Sequence, residues 1–108
     1  MTKWCSRVGN AIGMLETTGL AVSIRAADAM LKAADVRIVR HETRDIALVT
    51  LIIEGDLASV QTALKTGVEI AKTDGLYLTS ALIGSYHQQT IRLIEQDEKS
   101  MWVSRLIS

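Results

Sequence analysis

The stretch Ala11–Ile38, AIGMLETTGLAVSIRAADAMLKAADVRI, decides the fold. It opens with apolar Ala11, Ile12, Met14 and Leu15 around Gly13, which suits a short buried strand. Glu16-Thr17-Thr18-Gly19 then breaks the run, and Thr18 is placed to cap a following helix. That helix carries Leu20, Ile24, Ala27, Leu31 and Ala34 at spacings of three and four, an apolar face. Ala21, Ala26, Ala29 and Ala33 surround the face; alanine favours helix and lets another backbone approach closely. Val36–Val39 starts a second strand, so strand, crossover helix and strand fit in under thirty residues.

Outward from this unit the pattern continues. The first strand spans Val8–Thr17, the first helix Gly19–Ala34 and the second strand Val36–Thr43. The near-continuous apolar run Ile46–Glu54 reads as a central strand covered on both faces. Asp56 is a good N-cap for a second helix, whose stripe Leu57, Val60, Leu64, Val68 and Ala71 runs to about Thr73. Asp74-Gly75 forms a turn, and Leu76–Ile83 is the fourth strand. The order β-α-β-β-α-β predicts an α+β, ferredoxin-like fold: a four-stranded antiparallel sheet with both helices on one face. A last short helix is expected over His87–Gln96, with Ile91, Ile94 and Leu93 on its stripe. The tail Asp97–Ser108 contains Met101, Trp102, Val103, Leu106 and Ile107 and is too apolar to be a solvated tail. Residues Met1–Arg7 form an extension; Trp4 suits an anchor on the body or on a neighbour, and a frayed end equally.

The 108 residues allow one compact domain. The chain is 48% hydrophobic, and a domain this small leaves apolar surface that oligomerisation would hide. Formal net charge is zero, which gives no electrostatic footprint for nucleic acid or an anionic membrane. The single cysteine, Cys5, excludes an internal disulfide and suits a reducing cytoplasm. Its readings are a free thiol near the terminus, or a cluster or redox ligand. No apolar run approaches the roughly 18 residues of a membrane span, and no secretion signal is expected at the N-terminus.

Two runs carry a family resemblance. Ala11-Ile-Gly-Met-Leu-Glu-Thr-Thr-Gly-Leu20, followed by Ala26-Ala-Asp-Ala-Met-Leu-Lys-Ala-Ala-Asp-Val36, closely resembles the bacterial microcompartment (BMC) shell-protein domain. Leu48-Val49-Thr50 and Gly55-Asp56-Leu57-Ala58-Ser59-Val60 add a second match at the expected distance. The resemblance covers Val8 to Leu93 and implies a BMC domain over residues 8–96, between the extension 1–7 and the tail 97–108. It also implies a homo-hexamer that joins other shell proteins, and possible encapsulated enzymes, in the shell of a cytoplasmic microcompartment. The central pore of that hexamer passes small metabolites.

Residue by residue, the resemblance places Lys32 at the hexamer edge, where it packs across to a neighbouring hexamer. Asp28, four residues earlier, reads either as an intrahelical ion-pair partner of Lys32 or as part of that edge. The family commonly carries Pro-Arg-Pro-His across this edge; here Gly84-Ser85-Tyr86-His87 stands instead, so Ser85 replaces the arginine. Flat self-tiling should therefore be weak. His87 reads as a helix-start or interface residue. Between strands two and three the family's Lys-Ile-Gly-Ser-Gly pore run is replaced by Thr43-Arg44-Asp45-Ile46-Ala47. These five are the expected pore-lining residues, with an alternating Arg44–Asp45 ring as the expected arrangement; a plain solvated turn is the other reading.

No catalytic constellation stands out: HExxH, CxxC, GxSxG and a phosphate-binding glycine loop are missing. His41 and Glu42 are neighbours, so on a strand they point to opposite faces, against an acid–base pair. The sequence reading is therefore a non-enzymatic shell protein with no cofactor and no metal, with no nucleic acid or membrane among its partners. Its rivals are a small-molecule-binding regulatory oligomer on the same fold and, less favoured, a small enzyme.

Overall fold

A computed structural model describes residues 11–44 and 47–95. The extension with Trp4 and Cys5, the strand start at Val8, the pore candidates Asp45 and Ile46, Gln96 and the apolar tail lie outside the described residues. The described elements are β1 (Ala11–Thr18), α1 (Leu20–Ala33), β2 (Arg37–Thr43), β3 (Leu48–Gly55), α2 (Leu57–Thr73) and β4 (Tyr77–Ile83). A last helix, α3, is described over 88–95. Apart from the start of β1 and the end of α3, whose expected positions Val8 and Gln96 lie outside the described residues, each boundary falls within two residues of the sequence reading.

The sheet order is β2-β3-β1-β4, with every neighbouring pair antiparallel. This is the expected ferredoxin-like arrangement, in which each crossover helix spans one intervening strand. Alternation sends Ala11, Leu15, Leu51 and Ile53 to the helix-covered face. There they pack with Ala26 and Met30 of α1 and with Val60, Ala63 and Leu64 of α2. Close approach of the helices needs Gly67: a Cβ there would lie 2.5 Å from the Met30 sulfur and 3.2 Å from Leu15 Cδ2.

Four expectations change. First, Thr18 ends β1 and caps nothing; Gly19, at φ 98°, holds the N-cap position of α1 without a side-chain hydrogen bond. A left-handed φ at the sharp strand-to-helix turn explains glycine there. Second, the face of α1 that enters the core is Val22, Ser23, Ala26 and Met30, whereas Leu20, Ile24 and Leu31 are 47%, 54% and 45% exposed. Third, β3 is central but only one face is fully covered. Val49, Leu51 and Ile53 are buried; Leu48 on the other face is exposed, and Thr50 and Ile52 are half-buried. Fourth, Leu57 is exposed while the rest of the α2 stripe is buried or half-buried.

Candidate functional site

The expected pore and edge residues sit at opposite ends of the strands. At one end the β2–β3 loop is stitched to the start of α1. The Arg44 N–H donates to the Leu48 carbonyl (2.9 Å), and the Gly19 N–H donates to the Ala47 carbonyl (2.6 Å). The Thr18 N–H reaches the Leu76 carbonyl (2.9 Å), which brings the start of β4 to the same end. Thr43, Arg44 and Ala47 are all exposed there.

α1 then runs the length of the sheet, so Asp28 and Lys32 approach the far end. There the backbone oxygen of Asp35 lies 3.0 Å from where a Cβ of Gly55 would sit. Gly84, just past β4, faces Leu57 at this same end. Lys32 Nζ lies 2.9 Å from Asp28 Oδ2, with both side chains mostly exposed. That hydrogen bond first, and the carboxylate charge second, raise the Lys32 ammonium above its ordinary value. Ser85 adopts φ 55°, a left-handed turn that leads the chain off β4. His87 opens α3: its Nδ1 accepts from the Gln89 N–H at 3.0 Å, and its carbonyl accepts from the Thr90 N–H at 2.8 Å.

The face of the sheet away from α1 and α2 mixes charged side chains with Met14, Leu48 and Ile52. Along β2, Arg40 Nε donates to Glu42 Oε1 (3.2 Å), and Arg44 Nε lies 3.8 Å from Glu42 Oε2. Glu42 is thus flanked by two guanidinium groups, and Arg44 leans back along its own strand. A β-bulge at Val39 sets this alternation, placing Arg40 opposite Ile52 and Glu42 opposite Thr50. On the neighbouring strand pair, the Thr50 hydroxyl donates to Glu16 (3.1 Å). α3 lies over this face. Between them is a cavity of about 430 Å³ lined by Met14, Glu16, Arg44, Leu48 and Leu93 among others.

Glu54 is 3% exposed, a buried carboxylate near the end of an apolar strand. Burial of a charge is tolerated only when it is paired. Arg37 Nε donates to Glu54 Oε1 at 2.8 Å, and the Tyr86 hydroxyl donates to Oε2. Arg37 also reaches Glu95 Oε2 (3.2 Å), and Arg40 reaches the Ile94 carbonyl (3.4 Å). These contacts fasten α3 to β2 and β3. No local pattern signals them, because their partners are far apart in the chain.

His41 does not pair with Glu42; its Nε2 lies 3.0 Å from Ser23 Oγ on α1. A serine and a histidine at this distance invite a nucleophilic reading. However, the Ser23 hydroxyl donates to the Leu20 carbonyl (2.7 Å), which can only accept, so the proton is taken and His41 Nε2 is the donor. Ser23 is also 1% exposed. The pair pins α1 to β2 and offers no activated nucleophile. Among the described residues no group of three or more His, Cys, Asp or Glu could hold a metal ion, and no helix is long and apolar enough to cross a membrane.

Known proteins share this arrangement. The BMC domain family model matches residues 11–86. The bacterial microcompartment shell protein EutK of Salmonella typhimurium is 42% identical over 85 residues, 79% of this chain and 52% of that protein. The carboxysome shell protein CsoS1A of Hydrogenovibrio crunogenus is 36% identical over 95 residues, 87% of this chain and 99% of that protein. The crystal structure of a microcompartment protein from Desulfitobacterium hafniense superposes with a TM-score of 0.74 at 31% identity, covering 81% of this chain and 47% of that one. The chain thus spans about half the length of EutK and of the Desulfitobacterium protein, and nearly all of CsoS1A. With most of its length matched by the family model and a relative matched almost end to end, the chain belongs to the BMC-domain family of microcompartment shell proteins.

Proposed function

We propose that this protein is a non-enzymatic structural component of a bacterial microcompartment shell in the cytoplasm, acting as a cyclic hexamer beside other shell proteins. The observation that carries the reading is the separation of the two candidate regions along the strands. The β2–β3 loop with Thr43, Arg44 and Ala47 lies at one end, and Lys32, Ser85 and His87 lie toward the other. A subunit whose strands point along a radius would bring the first set to the symmetry axis and the second to the perimeter. Residues 43–47 then line the pore, with Asp45 and Ile46 completing the loop. Residues 8–96 act as the shell domain.

Such a pore is charged and lacks the glycine lining. Arg44, 54% exposed, stands at this end, and its ion pair with Glu42 draws it back along β2. In a hexamer each loop residue appears six times around the axis, so a substitution there is multiplied by the symmetry. With one arginine and one aspartate per copy the ring alternates in sign and would pass small polar metabolites. Encapsulated enzymes would lie inside the shell and make no covalent demand on this chain.

Light scattering or native mass measurement of the full chain tests the ring: a hexamer is expected, and a monomer at micromolar concentration overturns the reading. Electron microscopy tests the edge. Wild-type protein should form few flat sheets, and Ser85→Arg, which supplies a guanidinium at the position facing Lys32 of a neighbouring hexamer, should increase them. Extensive tiling by the wild type would remove the edge role assigned to Ser85.

A further inference from the structure

We propose that the cavity between α3 and the sheet is a binding site for a small zwitterion with an apolar side chain, of the α-amino acid class. Its volume of about 430 Å³ falls within the range of small-molecule sites. Its apolar surface comes from Met14, Leu48 and Ile52 of the sheet and from Leu93 and Ile94 of α3. Four charged side chains also line it: Glu16, Arg40, Glu42 and Arg44. They are not shared evenly between its two sides. β3 runs between β1 and β2, whose backbones therefore lie about 10 Å apart. Thr50 of β3 stands opposite Glu16 on β1 and opposite Glu42 on β2, so each side of the cavity has one carboxylate.

These two carboxylates differ in their partners. Glu42 has Arg40 at 3.2 Å and Arg44 at 3.8 Å. Glu16, half-buried, accepts only from the Thr50 hydroxyl (3.1 Å) and meets no cation among the described residues. A carboxylate withdrawn from water without a cation is unfavourable, and an ammonium group in the cavity would supply one. On the β2 side two guanidinium groups face one carboxylate, which leaves one positive charge over. Arg44 holds Glu42 at ion-pair distance only, beyond hydrogen-bond reach, so its guanidinium N–H groups can donate to an incoming carboxylate. The cavity is thus negative on its β1 side and positive on its β2 side, with Leu48 and Ile52 of β3 between them. A cation or an anion alone satisfies one side. A molecule with both charges and an apolar side chain satisfies both, and matches the neutral total.

L-Leucine is the probe, with isocaproate and isoamylamine as analogues that lack its ammonium and its carboxylate in turn. Calorimetric titration of the full chain should show saturable binding of leucine. Each analogue should bind at least about tenfold more weakly, the usual loss when a charged hydrogen bond is removed. In methyl NMR spectra the Met14, Leu48 and Ile52 signals should move as leucine is added. Glu16→Gln, which keeps an acceptor for Thr50, should weaken leucine about tenfold and leave isocaproate unchanged. Arg44→Gln should weaken leucine and isocaproate together and leave isoamylamine unchanged. Circular dichroism checks that both variants keep the fold. No saturable binding at millimolar leucine overturns the proposal. So do equal affinities for the three probes, which mean an apolar hollow only, and full leucine affinity in folded Glu16→Gln. Light scattering reads the oligomeric state separately. A hexamer that binds no leucine overturns this site and leaves the shell reading standing; a monomer that binds leucine does the reverse.

Discussion

The two long helices lie side by side on the same face of the sheet, yet they are built differently. α2 has one apolar stripe, exposed only at Leu57 where it begins, and Gln61, Lys65, Glu69, Lys72 and Thr73 on its other side are exposed and polar or charged. Its N-terminus is capped by Asp56. α1 has two stripes. The inner one, Val22, Ala26 and Met30, is made of small or flexible residues and is buried; the outer one, Leu20, Ile24 and Leu31, is bulkier and exposed. Its N-cap is a bare glycine. A helix stabilised only by its own chain needs one stripe and a good cap. α1 is thus apolar in excess of what its own domain can bury, as expected of a helix that is covered again on assembly.

The sharpest way to break this comparison is to truncate adjacent residues on α1. Met30 is fully buried in the core. Met30→Ala should cost about 2–5 kcal/mol in denaturant unfolding, the usual range for a large-to-small change that leaves a cavity. Leu31→Ala, one residue on, should change the unfolding of the dissociated chain by only about 0.5 kcal/mol, as surface changes do. Its effect should instead appear as a loss of ring at low protein concentration. Equal destabilisation by the two would mean that both stripes serve the same core.

These two residues also show what was legible in the sequence. Element order and type followed from hydrophobic period and turn chemistry, and the antiparallel β2-β3-β1-β4 sheet followed from the order. The facing of α1 did not. Both of its stripes satisfy a spacing of three and four, and bulk pointed to Leu20, Ile24 and Leu31. Periodicity reports that a face is apolar; it does not say whether the cover comes from the same chain or another. The core chose smaller residues because α1 must approach α2 and the sheet closely. Glu54 was hidden for a related reason: it stands at the end of the apolar run LVTLIIE, and the groups that permit its burial, Arg37 and Tyr86, are 17 and 32 residues away. Thr18 met the compositional rule for an N-cap, but β1 pairing continues through it to Leu48. The loop 43–47 was recognisable as a departure from the family's glycine-rich run, while the restraint of Arg44 by Glu42 depends on the bulge at Val39 and could not be read beforehand.

A second, smaller effect probes the seam between the helices. Gly67 of α2 has Met30 Sδ 2.5 Å and Met30 Cγ 2.9 Å from the position of its missing Cβ. Neither is the free tip of the side chain, and Met30 is fully enclosed. Gly67→Val should therefore destabilise by about 1–3 kcal/mol through overpacking. That exceeds the gain in helix propensity from replacing glycine, which is below about 1 kcal/mol. A raised melting temperature would show that α1 can shift away from α2 at little cost, and would weaken the assignment of its inner stripe as the rigid one.

The smallest expected effect concerns the cap that α2 has and α1 lacks. The Asp56 carboxylate accepts from the Ser59 N–H at 2.9 Å and from the Ser59 hydroxyl at 3.0 Å. The backbone hydrogen bond first, and the hydroxyl second, hold its carboxyl below the ordinary carboxylate value. A folded-state value lower than the unfolded one means that the unfolded chain binds the proton more readily. The stabilisation from this group is then fully present above the unfolded value of about 4 and is lost as pH falls through the lower folded value. Other carboxylates titrate in the same range, so the informative quantity is the difference in melting temperature between wild type and Asp56→Asn. Asparagine keeps a side-chain acceptor for Ser59 but carries no charge to lose. The wild type should exceed the variant modestly at pH 6, and the margin should shrink as the pH is lowered from about 5 through the acid range. Because Asp56 is exposed, added salt should also narrow the margin at pH 6. A margin independent of both pH and salt would mean that the cap acts only as a neutral hydrogen-bond acceptor. The contrast between the two helix starts would then reduce to the side chain that α1 lacks at Gly19.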